Sequence, residues 1–274
     1  MTIRESLILA TKQLQNSCDR PRFEAELLLS HFLKKDRSYL HAFDNKEIEN
    51  IEQFQKLIDR RANHEPYEYI TKSVSFYDIE LYIKKGVLIP RPETEILIDL
   101  VSDIIKKDSI TSIAEIGVGS GAISLVLARK FPNLNIVSTD ISDTAIDVAN
   151  LNLRKFGVKD RVKVIKSNLL DEVKDDIKLV VSNPPYIANN FKLKPNVIEY
   201  EPKEALFGGN RGDELLKQIV LDSKERGVKY LACEMGYDQK QPMEHFFNEI
   251  GIKSYSFYKD LAKFDRGFII NLKK

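Results

Sequence analysis

Ile113-Ala114-Glu115-Ile116-Gly117-Val118-Gly119-Ser120-Gly121 is the stretch that decides the fold. A short, mostly apolar strand, Ile113–Ile116, runs into a turn with glycine at every second position. A helical pattern, Gly121–Phe131, follows until Pro132 stops it. Glycines at such a turn let the backbone bend tightly and come close to a ligand. Outward from the turn the same alternation repeats. Asn135–Thr139 reads as a strand, Asp143–Phe156 as a helix stopped at Gly157, then Val162–Lys166 and Ile177–Val181 as strands. Glu214–Ser223 reads as a helix, Tyr230–Glu234 as a strand, Gln239–Ile250 as a helix, and Lys253–Tyr258 and Gly267–Leu272 as two closing strands. Strands and helices alternating at this spacing predict an α/β fold, a Rossmann-like doubly wound sheet. The sheet is expected to be mostly parallel, and the short link between the last two strands allows an antiparallel edge strand.

Upstream of the turn the period changes. Ile3, Leu7, Ala10 and Leu14 share a helical face; Ala25, Leu28, Leu29 and Phe32 form a second stripe after Asp19 and Pro21; Ile48, Ile51, Phe54, Ile58 and Ala62 form a third. Residues 1–73 are therefore expected to be a small helical bundle, with Pro66 ending or redirecting its last long helix. Phe76, Tyr77, Ile79, Leu81 and Ile83 precede Lys84-Lys85-Gly86, and Val87-Leu88-Ile89 follow, which predicts a β-hairpin linker over 74–89 turning at the glycine. Residues 90–274 complete the α/β domain, with Pro90-Arg91-Pro92-Glu93-Thr94-Glu95 opening a helix.

Composition narrows the function. The 274 residues are 43% hydrophobic and 30% charged, which excludes a disordered or low-complexity chain. Lys and Arg total 42 against 41 for Asp and Glu, so no wholesale electrostatic grip on nucleic acid is indicated. Cys18 and Cys233 stand far apart and the four histidines are scattered, so neither a disulfide scaffold nor a metal site is expected. No apolar run approaches the roughly 18 residues a membrane span needs, and a cytoplasmic location is the default expectation.

Asp140 ends the second strand, about 20 residues past the glycine turn, where a carboxylate can accept from both hydroxyls of a ribose. Turn and acid together indicate an adenosine-containing cofactor and no more. The glycines alternate as GxGxG, with Ala122 where a dinucleotide fingerprint would have its last glycine or alanine, so spacing alone leaves a dehydrogenase open. The deciding motif is Asn183-Pro184-Pro185-Tyr186 after the fourth strand. Its prolines stiffen the loop and remove two N–H donors, leaving carbonyls as acceptors. Asn183 adds a side-chain carbonyl and Tyr186 an aromatic face. Two acceptors and a flat ring suit a planar NH₂ group, as in an amide or a base.

With these runs the sequence resembles the S-adenosylmethionine-dependent amino-methyltransferases, and among them the HemK-type family, the peptide chain release factor glutamine methyltransferases. Carrying the resemblance are Leu88-Ile89-Pro90-Arg91-Pro92-Glu93-Thr94-Glu95, Gly119-Ser120-Gly121-Ala122-Ile123 and Ser182-Asn183-Pro184-Pro185-Tyr186-Ile187. Glu201-Pro202, Ala205-Leu206, Gly208-Gly209, Glu234-Met235-Gly236 with Gln239, and Asp265-Arg266 add to it. The resemblance implies that Gly117, Val118, Gly119, Ser120 and Gly121 cradle the methionine end of S-adenosyl-L-methionine, which leaves as S-adenosyl-L-homocysteine. It implies that Asp140 holds the ribose and that Asn168 and Leu169 flank the adenine, where the family more often has Asp followed by an aromatic. It implies that Asn183, which also adjoins the cofactor, binds the substrate amide with Pro184, Pro185 and Tyr186, and that Asn183, Pro184 and Tyr186 carry the catalysis. The implied substrate is the glutamine of the Gly-Gly-Gln motif of class I release factors, with residues 1–73 as a docking domain for that partner. An amino-methyltransferase acting on adenine in RNA or DNA is the alternative, because this loop serves both substrates.

Overall fold

Thr2 starts the helical part of the chain. It accepts from the Glu5 amide at 3.2 Å while the Glu5 carboxylate accepts from the Thr2 amide at 2.9 Å, a reciprocal cap on α1 (Ile3–Gln13). The computed structural model describes residues 1–273 and forms two compact units, residues 1–73 with 193–200, and residues 74–192 with 201 onward. In the first unit α2 (Pro21–Leu33), α3 (Arg37–Ala42), α4 (Ile51–Ala62) and α5 (Tyr67–Thr71) follow α1. The three apolar stripes meet in one core in which Leu7, Leu14, Leu28, Leu29 and Ile58 are fully buried. α3 and α5 are too short to show a period and were not expected. Pro66 caps α5 rather than ending α4, which already stops at Ala62.

In the second unit β1 (Ser73–Phe76) and β2 (Ile79–Tyr82) pair as a two-stranded sheet. The expected hairpin is present, but its turn is Tyr77-Asp78, with Tyr77 at φ +58°, and not Lys84–Gly86. Glu95 accounts for the difference, because its carboxylate accepts from the Tyr77 amide at 2.7 Å and holds the tighter turn. Lys84–Ile89 is therefore irregular chain leading to α6 (Thr94–Asp108).

Next come β3 (Ser112–Ile116), α7 (Ala122–Lys130), β4 (Asn135–Asp140), α8 (Asp143–Lys155), β5 (Val162–Lys166), β6 (Leu179–Ser182) and β7 (Ile187–Ala188). The short α9 (Pro195–Ile198) belongs to the segment of the first unit, where Tyr200 donates to the Asn63 carbonyl at 2.6 Å. β8 (Phe207–Gly209), α10 (Glu214–Glu225), β9 (Tyr230–Glu234), α11 (Lys240–Glu249), β10 (Tyr255–Lys259) and β11 (Asp265–Asn271) complete the chain. Seven strands form one sheet in the order β10-β11-β9-β6-β3-β4-β5. β5, β4, β3, β6 and β9 are parallel to their neighbours, with Ile113 opposite Ile136 on one side and Leu179 on the other. β11 is the antiparallel strand, and it lies one in from the edge between β9 and β10. The closing pair thus enters the sheet through its second strand, and β10 takes the edge.

This order puts the topological switch beside β3. Its neighbours β4 and β6 leave in opposite directions, so a crevice opens at their carboxyl ends. Gly121, at φ +84°, closes the turn into α7, and a Cβ there would stand 3.3 Å from the Ala149 Cα of α8. Both the left-handed backbone and the close helix packing therefore select glycine.

Candidate active site

A cavity of about 650 Å³ fills that crevice. It lies wholly within the second unit, and its wall is built from the glycine turn after β3, the end of β4, the chain after β5 and the loop after β6. Gly117 and Gly119 line it with φ of +77° and +53°. A Cβ on Gly119 would meet nothing within 4 Å and one on Gly117 would stand 3.9 Å from the Asn183 carbonyl oxygen. The turn is thus open toward a ligand and faces the Asn-Pro-Pro-Tyr loop. Val118, Ser120 and Gly121 do not line the cavity. Val118 is buried behind the turn, and the Ser120 carbonyl accepts from Asn152 at 2.8 Å. Only alternate residues of the turn face inward, and glycine occupies the inward positions.

Asp140 lines the cavity. One carboxylate oxygen accepts from the Gly119 amide at 3.0 Å and the other from the Ser142 amide at 2.9 Å. It does not cap α8; Ser142 does, accepting from Ala145 at 3.3 Å. Burial raises the Asp140 carboxyl, and the amides of Gly119, Ser142 and Ile141 oppose that shift. A carboxylate has about four acceptor positions, so these amides do not use it up and a donor from the cavity can still be accepted.

Asn168 and Leu169 both line the cavity. The Asn168 amide nitrogen donates to Asp171 at 3.3 Å, which leaves its oxygen and its second N–H to offer a ligand. Leu169 takes a left-handed φ of +45° and also packs into the domain core.

Asn183, Pro184 and Pro185 line the cavity from the far side. The loop is gripped from several elements. Asn183 Nδ2 donates to Thr94 Oγ1 at 2.9 Å, and Thr94 Oγ1 donates to Glu234 Oε2 at 2.7 Å. The Tyr186 hydroxyl donates to Glu234 Oε1 at 3.1 Å, and Gln239 Nε2 donates to the Tyr186 carbonyl at 2.8 Å. Burial, then the Glu234 charge, push the Tyr186 hydroxyl far up, so it remains a donor. A Cβ on Gly208 would collide with the Pro185 carbonyl oxygen, and one on Gly212 with that of Tyr186. Tyr186 itself does not line the cavity; its ring packs partly against the core and keeps some exposure.

The role of Glu115 is structural. It is buried, accepts from the Ser124 amide at 3.2 Å and from the Ser124 hydroxyl, and faces Ser138. Burial pushes its carboxyl up to about 8. Thr94, Glu234 and Gln239 had no role assigned from the sequence, although each sits in a run that carries the resemblance. The same holds for Glu201, which accepts from the Ile89 amide at 3.1 Å and from Arg91 at 2.5 Å and so ties two such runs together. Contacts between residues over 100 apart leave no local signal. Among the described residues no group of His, Cys, Asp and Glu could hold a metal, and no helix is long and apolar enough to cross a membrane.

The PrmC N-terminal domain family matches residues 5–71 and the methyltransferase small domain family matches residues 93–205. The release factor glutamine methyltransferase of Dictyoglomus turgidum is 36% identical over 93% of this chain and 94% of its own. That of Clostridium botulinum is 39% identical over 89% of this chain and 90% of its own. Among solved structures, the hMettl16 catalytic domain in complex with MAT2A 3'UTR hairpin 6 shares the fold, with a TM-score of 0.58 at 19% identity over 70% of this chain and 75% of that one. The N-terminal domain of human METTL16 in complex with SAH does so with a TM-score of 0.53 at 18% identity, over 70% and 76%. Aligned over nearly its whole length with proteins of that name, the chain belongs to the release factor glutamine methyltransferase family.

Proposed function

We propose that the protein transfers a methyl group from S-adenosylmethionine to the side-chain amide nitrogen, N5, of the glutamine in the Gly-Gly-Gln motif of class I release factors. One observation carries this reading. A single cavity brings the open glycine turn and the Asp140 carboxylate together with the acceptor-rich Asn183-Pro184-Pro185 edge. The residues fit the cofactor, because the turn has room where side chains would otherwise stand and Asp140 keeps acceptor positions facing the cavity. Gly117 and Gly119 would take the methionine end, Asp140 the ribose hydroxyls, and Asn168 and Leu169 the adenine edge and face. When bound, the cofactor supplies an electrophilic methyl group on a sulfonium.

What the chain's own residues do follows from the weakness of the nucleophile. An amide nitrogen has its lone pair delocalised into the carbonyl, so alignment is the main task, and orientation of this kind can supply roughly 7–11 kcal/mol. Asn183 Oδ1 and the Pro184 carbonyl each accept one amide hydrogen. As the nitrogen pyramidalises and gains positive charge those two bonds strengthen, which favours the transition state over the ground state, and the methylated nitrogen then gives up one proton to water. Tyr186 lies outside the cavity lining, so its contact with the amide plane requires the glutamine to reach the loop from the side where the ring keeps its exposure. The helical unit, residues 1–73 with 193–200, is proposed to dock a second face of the release factor. Methylation of a full-length release factor by the purified protein, with the site located by mass spectrometry, tests the reading; label found on RNA instead would favour the adenine-directed alternative.

A further inference from the structure

Glu234, the last residue of β9, is 1% exposed and spends both carboxylate oxygens on hydroxyls, Thr94 at 2.7 Å and Tyr186 at 3.1 Å. Thr94, the first residue of α6, is 3% exposed and receives the Asn183 amide at 2.9 Å. A side-chain amide has two ends of nearly equal shape, and only its hydrogen bonds decide which way it points. A threonine hydroxyl owns a single proton. While Glu234 is ionised it can only accept, so that proton is committed to its Oε2. Thr94 Oγ1 can then only accept from Asn183, which must present its NH₂ to Thr94 and its Oδ1 the other way. Resting on the reading of the loop as an amide clamp, we propose that Glu234, acting through Thr94, is a positioning residue that points the Asn183 carbonyl at the substrate amide, and that protonating Glu234 removes this polarity.

Once protonated, Glu234 can donate to Thr94 Oγ1. The threonine proton is then released toward Asn183 Oδ1, the amide turns over, and an NH₂ faces a substrate NH₂. Burial pushes Glu234 up to about 7, against the hydrogen bonds from Thr94 and Tyr186 and the charge of Arg266. The other ionisable groups around it are Glu93, which adds to the rise, Tyr258, which feels the Glu234 charge, and Cys233, its neighbour in the chain. Tyr186, Tyr258 and Cys233 all have their own protons held on by burial, so they stay neutral through the neutral range. Arg266 is paired with Asp260 at 2.7 Å and stays charged. Of Glu234, Tyr186, Tyr258, Cys233 and Arg266, Glu234 is the one whose charge changes near neutrality.

The experiment measures kcat on a release factor and the S-adenosylmethionine Kd for wild type, Thr94→Val, Thr94→Ser and Glu234→Gln between about pH 5.5 and 8.5. Wild-type kcat should fall on the acid side. Thr94→Val should lose about tenfold or more in kcat with the cofactor Kd within about twofold of wild type, and Thr94→Ser, which keeps the hydroxyl, should recover it. The E234Q amide can face Thr94 with either end, so that variant should be slower at high pH and lack the acid limb. A wild-type kcat flat across this range overturns the proposal even where a variant fails to fold. So does an acid limb retained in E234Q, or a Thr94→Val rate equal to that of wild type. No transfer to glutamine by the wild-type protein would instead overturn the underlying reading.

Discussion

Asn183 Nδ2 donates to Thr94 Oγ1 at 2.9 Å across 89 residues of chain, so the amide of the loop after β6 is oriented by the first turn of α6. On the proposed reading of the loop as an amide clamp, the side-chain carbonyl is needed mainly as the target nitrogen changes geometry. Asn183→Ala should therefore lower kcat by about a hundredfold, the scale of losing one hydrogen-bonding group that acts in a transition state. Cofactor affinity should change far less. Calorimetry together with single-turnover rates separates the two, and a loss confined to cofactor binding would contradict the clamp.

Asp140→Asn removes the charge and leaves the size. Hydrogen bonds to a charged group are worth about 1.5–3 kcal/mol, so S-adenosylmethionine binding should weaken by roughly tenfold to a hundredfold for one such bond. Calorimetry on the folded variant, with the melting temperature as a control, should show this. Unchanged affinity would remove Asp140 from the ribose site.

Gly208→Ala should damage the active loop although Gly208 does not itself line the cavity. The added Cβ would collide with the carbonyl oxygens of Pro185 and Gly212, and both are backbone atoms that can move only with the loop. Overpacking of this kind costs about 1–3 kcal/mol, and the displaced loop should transfer methyl groups more slowly. A variant with wild-type rate and melting temperature would show that the loop is not held as described.

Glu115 makes stability depend on pH in a defined sense. Its carboxyl is raised from an ordinary 4.5 to about 8 by burial, so its contribution is complete below the unfolded value and is lost as pH rises through the folded one. Glu234, raised to about 7, acts with the same sign. Relative to wild type, Glu115→Gln should therefore gain melting temperature between about pH 5 and pH 8, by about 2–4 °C for each kcal/mol. Scanning calorimetry at the two pH values checks this; an identical difference at both would refute it.

The α/β alternation was legible because each strand from Ile113 to Glu234 is flanked by its own stop or turn residues, such as Pro132 and Gly157. Gly117, Gly119, Asp140 and Asn183 were legible as candidate site residues for a related reason. A left-handed turn, a strand-end carboxylate and a proline-stiffened loop are all local features. The hairpin turn was misplaced because Tyr77-Asp78 is held by Glu95, a contact no local pattern reports. The network behind the loop was hidden for the same reason: Thr94 and Glu234 stand 140 residues apart and meet only when α6 packs beside β9. That Gly117 and Gly119 face the cavity while Val118, Ser120 and Gly121 do not depends on the course of the backbone rather than on residue type, and Gly121 is turned against Ala149 instead.

Locating the transferred methyl group on a folded class I release factor tests the central claim most directly. After incubation with S-adenosylmethionine, mass spectrometry should place one methyl group on the glutamine of the Gly-Gly-Gln motif, and replacing that glutamine should abolish all incorporation. A methyl group that persists on the substituted release factor, or that appears on RNA from the same mixture, would contradict it.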